Sequence, residues 1–143
     1  MFSQSAVVSR RDGQHQLLFR VGDMRTRSHL VASSVRALLI RNRLTAEGER
    51  VPLCQYSLAL ETETGHNDSY IFLLWPVTVV HRIDSTSPLW EMSAQQMRSE
   101  QFEIIVILEG TVESTGTTTQ VTTITIIKII IIIVVSFICA KFA

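Results

Sequence analysis

The sequence is short of the residues that staple or power a small protein. Its two cysteines, Cys54 and Cys139, stand far apart. There is thus no disulfide framework and no paired metal-ligand spacing, and a reducing compartment is expected. The first residues, MFSQSAVVSRRDG, lack a charged segment leading into an apolar one, so no signal peptide is expected. Net charge is also missing: 13 Lys and Arg balance 13 Asp and Glu. A nucleic-acid binder needs a basic surplus, so no nucleic acid is expected among the partners. G-x-S-x-G, a glycine-rich phosphate loop, C-x-x-C and H-E-x-x-H are all absent. The four histidines (His15, His29, His66 and His81) are scattered singly and read as structural. Glu61 and Glu63 have nothing nearby to raise a carboxyl pKa and read as a solvated strand face, not an acid/base pair. No enzyme, resident cofactor or metal is expected.

What is present divides unevenly. Residues 1–120 hold all eleven arginines and no lysine, whereas residues 121–143 hold both lysines and no arginine. Nine of the fifteen isoleucines also fall in those last residues. Two regions are therefore expected, 1–120 and a low-complexity tail, 121–143. The tail contains a candidate membrane span, 124–140, short for a bilayer, with Lys128 able to snorkel from it. The same composition arises from A/T-rich non-coding sequence read in frame, and both origins stay open. Within the first region, charge is polarised. Residues 1–50 carry nine arginines against four acids, and residues 51–120 carry two against nine. Such a surface suits an anionic lipid layer at one end and cations at the other.

The chain of 143 residues suffices for one modest core. Asp12-Gly13 between two β-like runs predicts a hairpin. Arg50–Glu61 alternates in part, with Leu53, Leu58 and Leu60 apolar. Pro76 divides IFLLWPVTVVHRID at an edge or bend. Ser87-Pro88 signals entry to one short helix. FEIIVILE and GTVESTGTTTQV form a last pair about Gly110. In SHLVASSVRALLIRNR, the apolar residues 31, 35, 38 and 39 have helical spacing. Short strands separated by turns predict an all-β sandwich, but only about six are legible where seven are wanted, so the domain reads as incomplete.

FSQSAVVSRRDGQHQLLFRVGDMRTRSHLV, EGERVPL, PVTVVHRIDSTSPLWEMS and FEIIVILEGTVESTGTTTQ resemble, in order and spacing, the cytoplasmic C-terminal domain of inward-rectifier potassium channels. The resemblance covers residues 2–120. It implies an immunoglobulin-like β-sandwich that assembles, as a homo- or heterotetramer with other channel subunits, into a cytoplasmic pore under the plasma membrane. It also makes SHLVASSVRALLI a long strand, against the helical spacing. By resemblance, Glu109 is a pore-lining acid that attracts cations, and Gly110, Thr111, Val112, Glu113 and Gly116 belong to a pore-narrowing loop. Arg25 and Arg27 match a basic segment linked to activation by phosphatidylinositol bisphosphate, in a loop one residue longer than the family pattern. Asp23 matches a sodium-sensing position. Ala32 departs from the glutamate of strong rectifiers, which implies weaker polyamine block. The channel's pore helix, selectivity filter and two membrane helices are not in this sequence, so the expected function is that of a cytoplasmic-domain fragment of a potassium channel subunit, whose parent carries potassium ions across the plasma membrane. The alternative is a tail-anchored, non-conducting regulator that co-assembles with complete subunits.

Overall fold

The computed structural model describes residues 2, 3, 5–63, 70–123 and 128–131. His66, Cys139 and most of the 124–140 segment lie outside the described residues.

The hairpin at Asp12-Gly13 forms as its sequence demands. Both residues take positive φ, 50° and 80°, joining β1 (Ser5–Arg11) to β2 (Gln14–Val21). β2 pairs in turn with β7 (Val77–Ile83), and β7 with the two-residue β5 (Glu61–Thr62). A second sheet is built on the 15-residue β3 (Leu30–Leu44). It is flanked by β4 (Arg50–Leu58) on one side and β8 (Phe102–Val112) on the other, with β9 (Thr118–Thr123) outermost. β6 (Tyr70–Ile71) also pairs with β3.

The sheets face each other across one apolar core. Alternate residues point inward: Leu17, Phe19 and Val21 from β2, Val35, Ala37 and Leu39 from β3, and Ile104, Val106 and Leu108 from β8. This alternation is why β3 is a strand. Its apolar residues satisfy a helical and a strand period at once, and burial on both neighbouring strands selects period two. The helical reading of this segment is thereby corrected. The family-based reading, a long strand of an all-β sandwich, holds.

Three further details differ from expectation. The short helix α1 (Ala94–Ser99) starts later than Ser87-Pro88 suggests. Its entry is a capping box: Gln96 N–H donates to Ser93 Oγ at 3.2 Å, and Ser93 N–H to Gln96 Oε1 at 2.8 Å. Leu53 does not join the alternation of β4. Pro52 and Leu53 together oppose Asn42, Leu53 takes φ 53°, and its side chain is 70% exposed. Asn42 Oδ1 accepts the Leu53 N–H at 3.2 Å.

The third correction concerns the tail. Lys128–Ile131 is a strand, β10, running parallel to β1 with Ser5 opposite Lys128. These four residues of the candidate span are therefore strand and not helix. Among the described residues, no helix is long and apolar enough to cross a membrane. β10 adds a strand to the first sheet, so each sheet has five. The incompleteness expected from about six legible strands is thus partly made good by short or unpredicted elements.

Candidate functional site

The chemistry-bearing loops gather where β3 begins and β8 ends. Loop 22–29 precedes β3, and the β8–β9 turn lies beside it. Asp23 closes the first loop on itself. Its Oδ1 accepts from Arg25 N–H and its Oδ2 from Leu30 N–H, both at 3.1 Å. A carboxylate that fixes both ends of a loop does what an Asx turn does, across a wider span. Arg25 and Arg27, between those anchors, are exposed, and neither has an acidic partner within 4.0 Å among the described residues.

The second loop is a tight turn. Gly116 N–H donates to Val112 O at 2.8 Å, with Gly116 at φ 64°, and Val112 N–H donates to Thr117 O at 2.9 Å. The glycine provides a left-handed residue without a Cβ clash. Of the residues expected in a loop here, Gly110, Thr111 and Val112 are instead the last residues of β8, and Glu113 and Gly116 lie in the turn.

The two loops are joined. Glu113 N–H donates to His29 O at 3.0 Å. Ser28 Oγ donates to Ser114 Oγ at 3.0 Å and accepts from Ser114 N–H at 3.3 Å. A displacement of the arginine loop must therefore strain or break contacts to the turn. Nothing in the sequence announces this connection, since a serine and a backbone carbonyl carry no motif.

Glu109 sits on the outer face of β8, opposite Ser34. Arg36, two residues further along β3, reaches it diagonally: Nη2 lies 2.5 Å from Oε1. The arginine side chain is 61% exposed and the glutamate 34%, so the pair is open to solvent. Sequence reasoning missed Arg36. Its signal was available, because it alternates with buried Val35 and Ala37 and so shares the outer face with Glu109. Along the same face run Leu38, Ile40, Ile105 and Ile107, all half-buried.

Ala32 occupies a bulge in β3, between the paired residues Val31 and Ser34, with φ 50°. An alanine there bears steric strain that glycine would not. The adjoining Ser33 is fully buried, and its hydroxyl has no hydrogen-bond partner among the described residues. It fills the space beside Gly110, where an added Cβ would lie 2.9 Å from Ser33 Oγ and 3.3 Å from Leu30 Cδ2. Gly110 is thus a packing glycine, needed for close approach. Gly110→Ala is expected to destabilise the chain by about 1–2 kcal/mol, as overpacking does. Adding Ser33→Ala should recover part of the loss in urea unfolding. If the double variant is no better than the single one, the contact with Ser33 is not the cause.

Glu61 and Glu63 are each held by an arginine, at 3.0 Å from Arg82 and 2.7 Å from Arg11. The Arg11 hydrogen bond keeps the Glu63 carboxyl below its ordinary pKa. A group held charged in this way is no general acid. His81 is buried and fully bonded, Nδ1 at 2.7 Å from Ala59 O and Nε2 at 2.8 Å from Ser87 Oγ, in keeping with a structural role.

The architecture and its loops define a class: a two-sheet β-sandwich domain in which an exposed arginine loop is hydrogen-bonded to the β8–β9 turn at one end. Its family follows from comparison. The chain belongs to the family described as inward rectifier potassium channel C-terminal domain, whose model matches residues 1–131. That match runs beyond Gln120, through the residues that form β10. The chain is 52% identical over 120 residues to G protein-activated inward rectifier potassium channel 3 of Mus musculus, covering 84% of this chain and 30% of that protein. It is 50% identical to channel 4 of Homo sapiens, over 84% of this chain and 28% of the relative. Channel 1 of Bos taurus is 49% identical, with 23% of its length covered. The chain thus spans less than a third of these relatives, which are ion channels and not enzymes.

Proposed function

We propose that this chain is the cytoplasmic part of an inward-rectifier potassium channel subunit, acting in potassium transport at the plasma membrane. The observation that carries the reading is the hydrogen-bonded junction of the arginine loop with the β8–β9 turn. In the assembled channel, Arg25 and Arg27 bind phosphoinositide headgroups, since guanidinium forks suit phosphate oxygens. The Ser28–Ser114 and His29–Glu113 contacts then pass that binding to the turn. Asp23 holds the arginine loop in shape. Because its oxygens already accept two amides, a sodium ion at Asp23 would share them and alter the same loop.

Assembly is supported by the outer face of β3 and β8. Its stripe of Leu38, Ile40, Ile105 and Ile107 is half-buried in one copy, and other channel subunits packed about an axis would cover more of it. Four copies would set four Glu109–Arg36 pairs around a shared path for potassium ions and cationic blockers.

The test is a chimera. Residues 1–123 replace the matching segment of human G protein-activated inward rectifier potassium channel 4, and currents are recorded in excised patches. Potassium-selective, inwardly rectifying current is expected. Arg25→Gln should raise the concentration of short-chain phosphatidylinositol bisphosphate needed for half-activation by about tenfold, the loss of one charge-assisted phosphate contact. Ser28→Ala should lower maximal activation with little change in that concentration. A chimera that reaches the cell surface yet carries no potassium current overturns the reading.

A further inference from the structure

A second basic site lies at the opposite end of β3. A cleft of about 400 Å³ is lined by Arg41, Asn42 and Arg43 from β3, Arg50 from β4 and Glu100 at the end of α1. The volume is within the range of small-molecule pockets. Three arginines meet one glutamate, and among the described residues none of the three has a carboxylate within 4.0 Å. Glu47 and Glu49 of the nearby turn lie outside the lining. Like charges lining one cleft repel, and an anion bound among them would relieve that repulsion.

The local structure restrains Arg41 and fixes the strand geometry around Arg43 and Arg50. Arg41 lies over the Tyr56 ring, 5.3 Å from its centroid, which restrains a long side chain. The Pro52-Leu53 bulge, fastened by Asn42, sets the approach of β4 to β3 just before Arg50 and Arg43. The turn between the strands is closed by Thr45 N–H to Glu49 O at 2.9 Å and by Glu49 N–H to Thr45 Oγ1 at 3.1 Å. Arginines lining one cleft suit an anion with several oxygens, because each guanidinium donates in a planar fork.

We infer that this cleft binds a multivalent phosphate anion. A phosphate group is favoured over a single carboxylate because three forks need several acceptor oxygens. Such a group could belong to a soluble polyphosphate or to a lipid headgroup, and position favours the soluble source. Arg43 lies thirteen residue steps beyond Leu30 on β3, on the order of 40 Å at strand rise. A membrane reached by Arg25 and Arg27 is therefore remote from this cleft.

The experiment is titration of the complete chain with inorganic triphosphate, followed by calorimetry. Saturable binding is expected, weakening with salt. Arg43→Gln with Arg50→Gln should weaken it at least about tenfold, since two charge-assisted contacts are lost. Arg25→Gln with Arg27→Gln should leave it within about twofold, because those residues are too distant to contribute. Arg43→Lys with Arg50→Lys keeps charge without the fork and should fall between. Absence of saturable binding, or binding lost only with Arg25 and Arg27, overturns the site. A parallel arm uses phosphatidylcholine vesicles doped with phosphatidylinositol bisphosphate. If vesicle binding depends on Arg43 and Arg50, the ligand is a lipid headgroup and the soluble assignment fails.

Discussion

Glu109→Gln, introduced into the chimeric channel, is expected to weaken block by intracellular polyamine or magnesium by at least about tenfold. In one copy Glu109 is balanced by Arg36, at 2.5 Å. Removing the acid leaves four unopposed guanidinium groups around the proposed pathway. A unit charge about 8 Å from a cation acts with roughly 0.5 kcal/mol at the dielectric constant of water. Four such charges amount to about 2 kcal/mol for a monovalent ion, reduced by salt and multiplied by blocker valence. The complementary change has the opposite sign: Arg36→Gln frees four carboxylates and should strengthen block. The double variant should return near the starting value, because the pair has no net charge. This set of signs is more telling than any one affinity. If both single variants weaken block alike, Glu109 and Arg36 act by packing and not through the field of a pore. Ala32 sets the baseline for the comparison, since no second ring of acids stands at that position.

Much of the fold was legible because strand alternation and turn chemistry are local. Asp12-Gly13 between two β-like runs fixed one hairpin. β3 misled because its spacing fits two periods, and only its neighbours in the sheet decide between them. β5 and β6 have two residues each, too few to carry a period. The start of α1 was misplaced because Ser87, which precedes a proline, was read as a cap. In the structure its hydroxyl bonds His81 Nε2 and the Leu89 amide instead.

The site divides along the same line. Glu109 and the arginines at 25 and 27 were singled out by motif resemblance, which points to residues but not to their partners. Arg36, Ser28 and His29 were missed because their roles depend on register and on contacts more than 70 residues apart in sequence, as in Ser28–Ser114 and Arg36–Glu109. The cleft of Arg41, Arg43 and Arg50 was visible only as a diffuse positive surplus in residues 1–50. Folding concentrates part of that surplus at each end of one strand, with the acidic second half supplying Glu109 to the middle. The positive surplus of residues 1–50 thus supplies two separate groups of arginines along β3.

The buried histidine gives the other large effect, this time on stability. His81 points inward from β7, between Val79 and Ile83, and is 2% exposed. One tautomer satisfies every group around it. Nδ1–H donates to Ala59 O, Nε2 accepts the Ser87 hydroxyl, and Ser87 Oγ accepts Leu89 N–H. Protonating Nε2 would take away that acceptor, and burial adds the cost of charging the ring. Burial is the main cause that lowers its pKa below 6.5, against smaller opposing effects of the Ala59 carbonyl and Asp84. Below the unfolded pKa the unfolded chain binds a proton that the native chain refuses. Stability is therefore fully present above about pH 6.5 and declines as pH falls from there toward the lower native pKa. Glu63 and Asp84, both lowered from 4.5 and 3.8, act only at more acid pH, so the windows separate. His81→Asn retains an amide donor for Ala59 and cannot titrate, so its stability should be flatter between about pH 6.5 and about pH 5. His81→Leu should lose about 2–3 kcal/mol at neutral pH, because it strands the Ala59 carbonyl and the Ser87 hydroxyl in the core. Urea unfolding at several pH values reads both effects. If the wild-type and His81→Asn chains lose stability in parallel over that window, the ring is not held neutral by its burial.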